Sequence, residues 1–328
     1  MNGQQPPNRI RLKRNGNGEV MLWSLIGIGF ANQIINGELE TEFPATVALG
    51  ALIGDTGTSV CTGTLITPRI VLSAAHCGGN LPPELILQVG KALFGNSVQE
   101  IDAAIGFEDY VIHPEYEELN SSMGGSLGAN DFSLLVLSEP APVQPIFFNS
   151  EPMMEEWIGE EIISVGFGIT GSEQNDGGTK RSALLTVSAL EEMFVIADNA
   201  DNENSANICS GDSGGSQMYF DAEIEQWVQI AVHSWGDQYC TMTSGSTRTD
   251  LVSDWIFETI ETVHGSTDLC EINGYYDDDE CTDYSICQGV DPACLVDEEE
   301  EKGACQTSDS SLPWIFLLSL IPLGLRRR

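Results

Sequence analysis

The stretch Asn207-Ile208-Cys209-Ser210-Gly211-Asp212-Ser213-Gly214-Gly215-Ser216 restricts the fold more than any other part of the chain. A serine framed by glycines, after an aspartate and near a cysteine, is a poor helix or strand interior. It suits a tight, strained turn that presents a hydroxyl beside free backbone N–H groups. A nucleophilic serine needs that geometry, because the N–H groups of Gly211 and Ser213 then face a developing oxyanion. Surface turns also use such residues, so the reading depends on what else the chain carries.

Two further segments supply the missing chemistry. Leu72-Ser73-Ala74-Ala75-His76-Cys77 puts a histidine after a β-like run and two small residues. Ala129-Asn130-Asp131-Phe132-Ser133-Leu134-Leu135-Val136-Leu137 puts one aspartate at the mouth of an apolar run. Each alone is an ordinary structural or turn residue. Together they match a need: a serine hydroxyl requires a base, and the base requires a buried carboxylate to fix its tautomer and stabilise the imidazolium.

The order His76, Asp131, Ser213, with these local strings, resembles the chymotrypsin/trypsin family of serine endopeptidases over about Ile34 to Val263. The resemblance implies an all-β fold of two six-stranded antiparallel β-barrels with a C-terminal helix and the active site between the barrels. It implies that Ser213 is the nucleophile, His76 the general base and then acid, and Asp131 the orienting carboxylate. Gly211 and Ser213 would supply the oxyanion hole. Ser234-Trp235-Gly236 resembles the segment that pairs with substrate backbone as an added strand. Cys61 with Cys77, and Cys209 with Cys240, look like family disulfides. Val165-Gly166-Phe167-Gly168 matches a family Gly-Trp-Gly strand with Phe167 in place of tryptophan.

By the same resemblance, a free amino group on Ile34 would pair with Asp212 and order the oxyanion hole, which is how such a buried charge pair offsets its desolvation cost. The residue before Ile34 is Gln33 rather than arginine or lysine, so activation by a trypsin-like cut is not expected. Asn207, six before the nucleophile, would lie at the base of the specificity pocket, and its neutral amide argues against arginine or lysine at P1. Gly236 would leave the entrance open, the wall near Ser244-Gly245 fits the family pattern loosely, and Asp237 reads as a solvent-facing loop acid. A neutral or aromatic P1 residue is expected, in a protein or peptide substrate, with neither cofactor nor metal. A catalytically silent protease-fold binding or adhesion module is the alternative; it would normally have lost a triad member.

The local pattern agrees with a β fold. Short apolar runs separated by turn residues extend from Ile34 to His264: Thr46 to Ile53, Gly63 to Leu72, Leu85 to Val89, Ser133 to Leu137, Glu161 to Gly166, Leu184 to Val187 and Trp227 to Val232. Leu251 to Val263 is the one good helix, with Trp255, Ile256, Thr259 and Ile260 near one face. Asn120 to Asn130 and Gly171 to Lys180 read as mobile loops.

The flanks carry separate signals. Arg9, Arg11, Lys13 and Arg14 precede an apolar run, Val20 to Ala31, that ends in Gly29-Phe30-Ala31. This predicts a signal peptide over 1–31 and a short propeptide, Asn32-Gln33, before a protease domain at 34–264. A short buried segment is the bland alternative. Export makes the nine cysteines disulfide candidates. Residues 265–311 are acidic and carry five of them. They read as a stapled linker or stalk, because the runs Asp277-Asp278-Asp279-Glu280 and Asp297 to Glu301 do not match an EF-hand loop. Cys270, Cys281, Cys287 and Cys294 allow three pairings.

Leu312 to Leu325 is an apolar stretch of 14 residues before Arg326-Arg327-Arg328, short for a span of a ~30 Å hydrocarbon core. With Cys305 it resembles the tripartite C-terminal sorting signals of myxobacteria, which implies surface anchoring or release through Cys305. The net charge of -37 excludes nucleic acid as a partner. Between Ile34 and His264, 35 Asp/Glu face five Lys/Arg, a solvated acidic surface. A secreted or surface-held monomer is expected.

Overall fold

The computed structural model describes residues 34, 37–79, 81–120, 126–198, 206–237, 239–241, 243–276, 284 and 286–295. The predicted signal peptide, Asn32-Gln33, Cys281, Cys305 and the apolar C-terminus lie outside the described residues. So do the two acidic runs.

Among the described residues sixteen strands make up the body. In chain order they are β1 (Glu38–Leu39), β2 (Thr46–Ile53), β3 (Thr56–Thr67), β4 (Ile70–Ser73), β5 (Lys91–Phe94), β6 (Ala103–Ile112), β7 (Glu117–Asn120), β8 (Ser126–Ala129), β9 (Ser133–Leu137), β10 (Phe147–Phe148), β11 (Glu161–Gly166), β12 (Arg181–Leu190), β13 (Phe194–Asp198), β14 (Ser216–Asp221), β15 (Gln226–Gly236) and β16 (Ser244–Arg248). The first barrel closes in the order β2-β3-β4-β9-β6-β5. The second runs β12-β11-β14-β15-β16-β13, and the β12–β13 pairing closes it; β1 and β10 attach to its outside. Closure leaves no long free sheet edge.

Each barrel buries the apolar runs that the sequence places there. Val47, Leu49, Leu65, Val71, Phe94 and Leu135 fill the first, while Ile162, Leu185, Val187, Val195 and Ile230 fill the second. All five residues of β9 are buried, so Asp131, two residues upstream, is delivered to the interface between the barrels. α2 (Ser253–His264) presents Ile256, Thr259 and Ile260 to the core and ends at Gly265, whose φ of +75° provides a left-handed C-cap.

Three segments depart from the sequence reading. Leu85 to Val89 is helical rather than extended: α1 spans Pro83–Val89. Pro83 sits in the first turn, where its missing N–H costs nothing, and Gly90 N closes the far end on Ile86 O at 2.8 Å. Asn120 to Asn130 is in part a β-hairpin, with β7 and β8 paired from Glu117–Ala129 to Asn120–Ser126.

The third departure lies after Gly265, where the chain docks against the body instead of standing off as a stalk. α3 (Leu269–Ile272) buries Leu269 and Cys270 beside Phe147 and Ile256. Tyr275 stacks on Phe147 at 5.1 Å, and Tyr284 meets both rings edge-on. Cys270 pairs with Cys287, and Cys294 is disulfide-bonded as well. Tyr275, Tyr276, Tyr284 and the disulfide supply apolar contact that the acidic composition conceals. Among the described residues no helix is long and apolar enough to cross a membrane.

Candidate active site

The turn after Cys209 is built by glycines. Gly211 and Gly214 take φ of +94° and +82°, where a side chain would be strained. A Cβ on Gly214 would also overlap Ser73 Oγ and Thr62 O. Within this turn the N–H groups of Asp212, Gly214 and Gly215 donate to Cys209 O, His233 O and Asp212 O at 3.0, 2.8 and 2.8 Å. Those of Gly211 and Ser213 have no acceptor among the described residues. Two unengaged donors flanking one hydroxyl are what an oxyanion site requires.

His76 is carried on a single 3-10 turn, Ala75–Gly78, that leaves β4 at the barrel interface. Its backbone N–H donates to Asp131 Oδ1 at 2.9 Å, and its Nδ1 lies 2.6 Å from Asp131 Oδ2. Ser234 Oγ donates to the same Oδ2 at 2.6 Å. Asp131 is fully buried, so these three donors satisfy a carboxylate that has no access to water. With Nδ1–H held by Asp131, the free ring nitrogen of His76 is Nε2, the atom that could accept a proton. Ser213 Oγ makes no hydrogen bond to a described residue, and such contacts tighten when substrate binds. First-barrel groups hold the serine from behind: Thr62 N donates to Ser213 O at 2.8 Å, and Cys77 Sγ lies 3.5 Å from the same oxygen. Cys61–Cys77 and Cys209–Cys240 are both disulfides, one on each side of the turn.

Asp212 is enclosed between Gly166 and Gly168, since a Cβ on either would overlap its carboxylate. It accepts from Gly168 N at 2.7 Å and Cys209 N at 2.8 Å and makes no ion pair among the described residues. Burial outweighs those two bonds and the weaker pull of Arg181 and pushes its carboxyl up to about 6. Ile34 is buried in the second barrel beside Met153, Ala206 and Ile230.

Around the expected specificity pocket, Asn207 is buried and its Oδ1 accepts from Ile208 N at 2.9 Å. A Cβ on Gly236 would stand 3.4 Å from Ile208 O, an ordinary contact. The indole of Trp235 lies flush on Gly245, where a Cβ would overlap it, and meets Phe194 edge-on at 6.0 Å. Asp237 accepts from Tyr239 N, Thr241 N and Thr243 N at 2.9, 2.8 and 3.3 Å, so it organises its own loop.

Three residues were not singled out by sequence reasoning. Thr62 joins the two barrels: its Oγ1 donates to Gly211 O at 2.8 Å and accepts from Phe167 N at 3.0 Å. Lys180 is buried, donates to Phe43 O at 2.8 Å and lies 5.6 Å over the Phe167 ring. Desolvation lowers its ammonium to about 8 against the pull of Glu40 and Asp102. His233 is fully buried, with Nδ1 3.1 Å from Ser246 Oγ, and desolvation holds it neutral by lowering it to about 3. The rarity of cations between Ile34 and His264 was a usable signal for Lys180; nothing local distinguishes His233.

A family model described as Trypsin matches residues 36–256. Over 198 residues the chain is 28% identical to vitamin K-dependent protein C of Rattus norvegicus, covering 54% of this chain and 40% of that protein. Over 231 residues it is 29% identical to CLIP domain-containing serine protease B10 of Anopheles gambiae, covering 61% of each. CLIP domain-containing serine protease B15 of the same mosquito is 30% identical over 207 residues, covering 55% of each. The chain therefore spans about two fifths to three fifths of these relatives.

Proposed function

Because the chain belongs to the trypsin family, we propose that it is a serine endopeptidase that hydrolyses peptide bonds through an acyl-enzyme. The observation that carries this reading is the 2.6 Å contact of His76 Nδ1 with a buried Asp131, which leaves Nε2 to serve Ser213. Ser213 Oγ attacks the scissile carbonyl as His76 takes its proton. The N–H groups of Gly211 and Ser213 stabilise the tetrahedral oxyanion. His76 then delivers the proton to the leaving amine, and water repeats the sequence to release the acid. Asp131 stays ionised and holds the imidazolium. Ser234-Trp235-Gly236 pairs with the acyl-side backbone, and Asn207 at the pocket base disfavours arginine and lysine at P1.

Activation belongs to the same proposal. Asp212 is a buried carboxylate with no ion-pair partner among the described residues, Arg181 acting on it only from a distance, which suits capture of a newly freed amino group on Ile34 after cleavage following Gln33. The protein is exported, acts on protein or peptide substrates as a monomer, and is anchored or released at the cell surface through Cys305. Purified protein should hydrolyse a peptide library with P1 residues other than arginine and lysine. Ser213→Ala and His76→Ala should each reduce turnover to a residue of about 10³–10⁴ over water. Undiminished hydrolysis by Ser213→Ala overturns the assignment, and a stable Asn32 start on active protein overturns the activation step.

A further inference from the structure

The turn that carries His76 is held from a second side, by two hydroxyls that the proposed chemistry does not use. Ala75–Gly78 is a single 3-10 turn, and its bond from Cys77 N to Ala74 O is long at 3.3 Å. So short a turn does not fix itself in place. Ser133 Oγ donates to Ala74 O at 3.0 Å, and Tyr110 Oη donates to Ala75 O at 3.3 Å. The phenol oxygen also lies close to Ser133 and to the Gly78 N–H. Gly78 leaves room for it, since a Cβ there would stand 2.3 Å from that oxygen.

Both hydroxyls stand where the barrel is otherwise apolar. Ser133 is the one polar residue of β9, and it is buried. The Tyr110 ring packs on the first-barrel core. β4, which leads into the turn, pairs with β9, and β9 pairs with β6, so the two donors come from adjoining strands. Ala75 C=O and His76 N–H belong to one planar peptide unit. Tyr110 holds its carbonyl at 3.3 Å, and Asp131 Oδ1 holds its N–H at 2.9 Å. A peptide plane tied at both ends is hindered from rocking, and the direction of the imidazole follows from that plane. Ser133 ties the carbonyl of the preceding unit. Burial raises the Tyr110 phenol above its ordinary value, which keeps it protonated and a donor.

We propose that Tyr110 and Ser133 are positioning residues, which fix the peptide plane entering His76 so that Nδ1 stays on Asp131 and Nε2 stays aimed at Ser213. This rests on the endopeptidase reading above. Both act through His76 alone. Loss of either hydroxyl removes a donor from a carbonyl of a buried segment, Ala74-Ala75, and frees the turn to tilt. A displacement of about 1 Å at the reacting atoms costs about 10²-fold in rate.

The test compares wild type with Tyr110→Phe and Ser133→Ala in steady-state hydrolysis of a peptide, with a thermal melt as the folding control. Each variant should lower kcat about 10- to 100-fold and leave KM within about twofold. Proton NMR adds a readout that a purely structural role would not move. The His76 Nδ1–H resonance, which reports the 2.6 Å bond to Asp131, should move upfield in both variants. In an Asp131→Asn background the imidazole has already lost that bond, so Tyr110→Phe should change kcat by less than about twofold. Folded variants with wild-type kcat and an unmoved resonance overturn the proposal. So does an equal loss of kcat in the Asp131→Asn background. If Tyr110→Phe does not fold, Ser133→Ala decides by the same measurements. A wild type inert toward both peptide and a fluorophosphonate would instead count against the endopeptidase reading, while the resonance still decides the positioning.

Discussion

Asp131→Asn perturbs one atom of the proposed machinery, and its outcome follows from three hydrogen bonds. The carboxylate accepts from His76 N–H, His76 Nδ1–H and Ser234 Oγ–H. An amide offers one oxygen and one donor group. If the oxygen stays on His76 N–H, the NH2 faces Nδ1, which must then become an acceptor. The ring proton moves to Nε2, and His76 cannot take the proton of Ser213. If the amide flips, its NH2 meets the His76 backbone N–H, donor against donor. Either way the imidazolium of the transition state loses its buried counter-charge. Two charge-assisted bonds of 2.6 Å, at roughly 1.5–3 kcal/mol each, put the loss at about 3–6 kcal/mol. The family template gives ~10⁴ in kcat, or about 5.4 kcal/mol, for the same change. Because Asp131 is fully buried and touches no substrate, KM should change little. Steady-state kinetics near pH 7.5, with a thermal melt as a folding control, measures both parameters. A folded variant that keeps more than about a tenth of wild-type kcat would refute the argument.

The other predictions concern conformation and stability. Gly214→Ala forces a side chain onto φ +82° and into Ser73 Oγ and Thr62 O, so it should cost several kcal/mol, roughly 3 or more, in denaturant titration. His233 is held neutral with its pKa lowered to about 3, whereas the unfolded chain takes up the proton below about 6.5. Its contribution is therefore complete above about pH 6.5 and declines by about 1.4 kcal/mol per unit as pH falls toward 3. Asp212, raised to about 6, works in the opposite sense, gaining stability as pH falls from 6 toward 3.8. The difference between wild type and His233→Leu isolates the histidine: between pH 6 and pH 4 the wild type should lose about 1.4 kcal/mol per unit relative to the variant. Lys180→Met removes a buried ammonium lowered to about 8. The wild type should gain on it by about 3 kcal/mol between pH 7 and pH 10, as the folded lysine loses its proton before the unfolded one does. A pH-independent difference would argue against a buried charge. Tyr275→Ala, which removes the stack on Phe147, should lower stability by about 2 kcal/mol and loosen residues 266–276 and 286–295 in hydrogen exchange.

Most of the barrel framework was legible because its strands bury long β-branched or alternating runs. Thr46 to Ile53, Ser133 to Leu137 and Glu161 to Gly166 coincide with β2, β9 and β11. Leu85 to Val89 failed because a run of five residues, four of them apolar, cannot distinguish a strand from a helix, and the deciding cue was Pro83 at a helix start. The segment after Gly265 was misjudged from its carboxylates. Its tyrosines act only because Phe147, from a distant part of the chain, offers them a surface. The strings around His76 and Asp131 were legible as possible partners, and the structure brings His76 Nδ1 to 2.6 Å from Asp131; the string around Ser213 was legible as a strained turn, in which Gly211 and Gly214 take positive φ. The glycines around Asp212 acquire their reason only in three dimensions, where a Cβ at 166 or 168 meets its carboxylate. The burial of Lys180 and His233 depends on contacts with elements far away in sequence, and no local pattern announces it.

The central claim is that Ser213 is a nucleophile activated by His76. Intact-mass measurement of the purified protein, before and after a fluorophosphonate, tests it most directly. The account predicts one stoichiometric adduct on a chain that begins at Ile34, mapped to Ser213 and absent from Ser213→Ala and His76→Ala. A chain beginning at Ile34 that takes up no adduct, or an adduct that persists in Ser213→Ala, would contradict it.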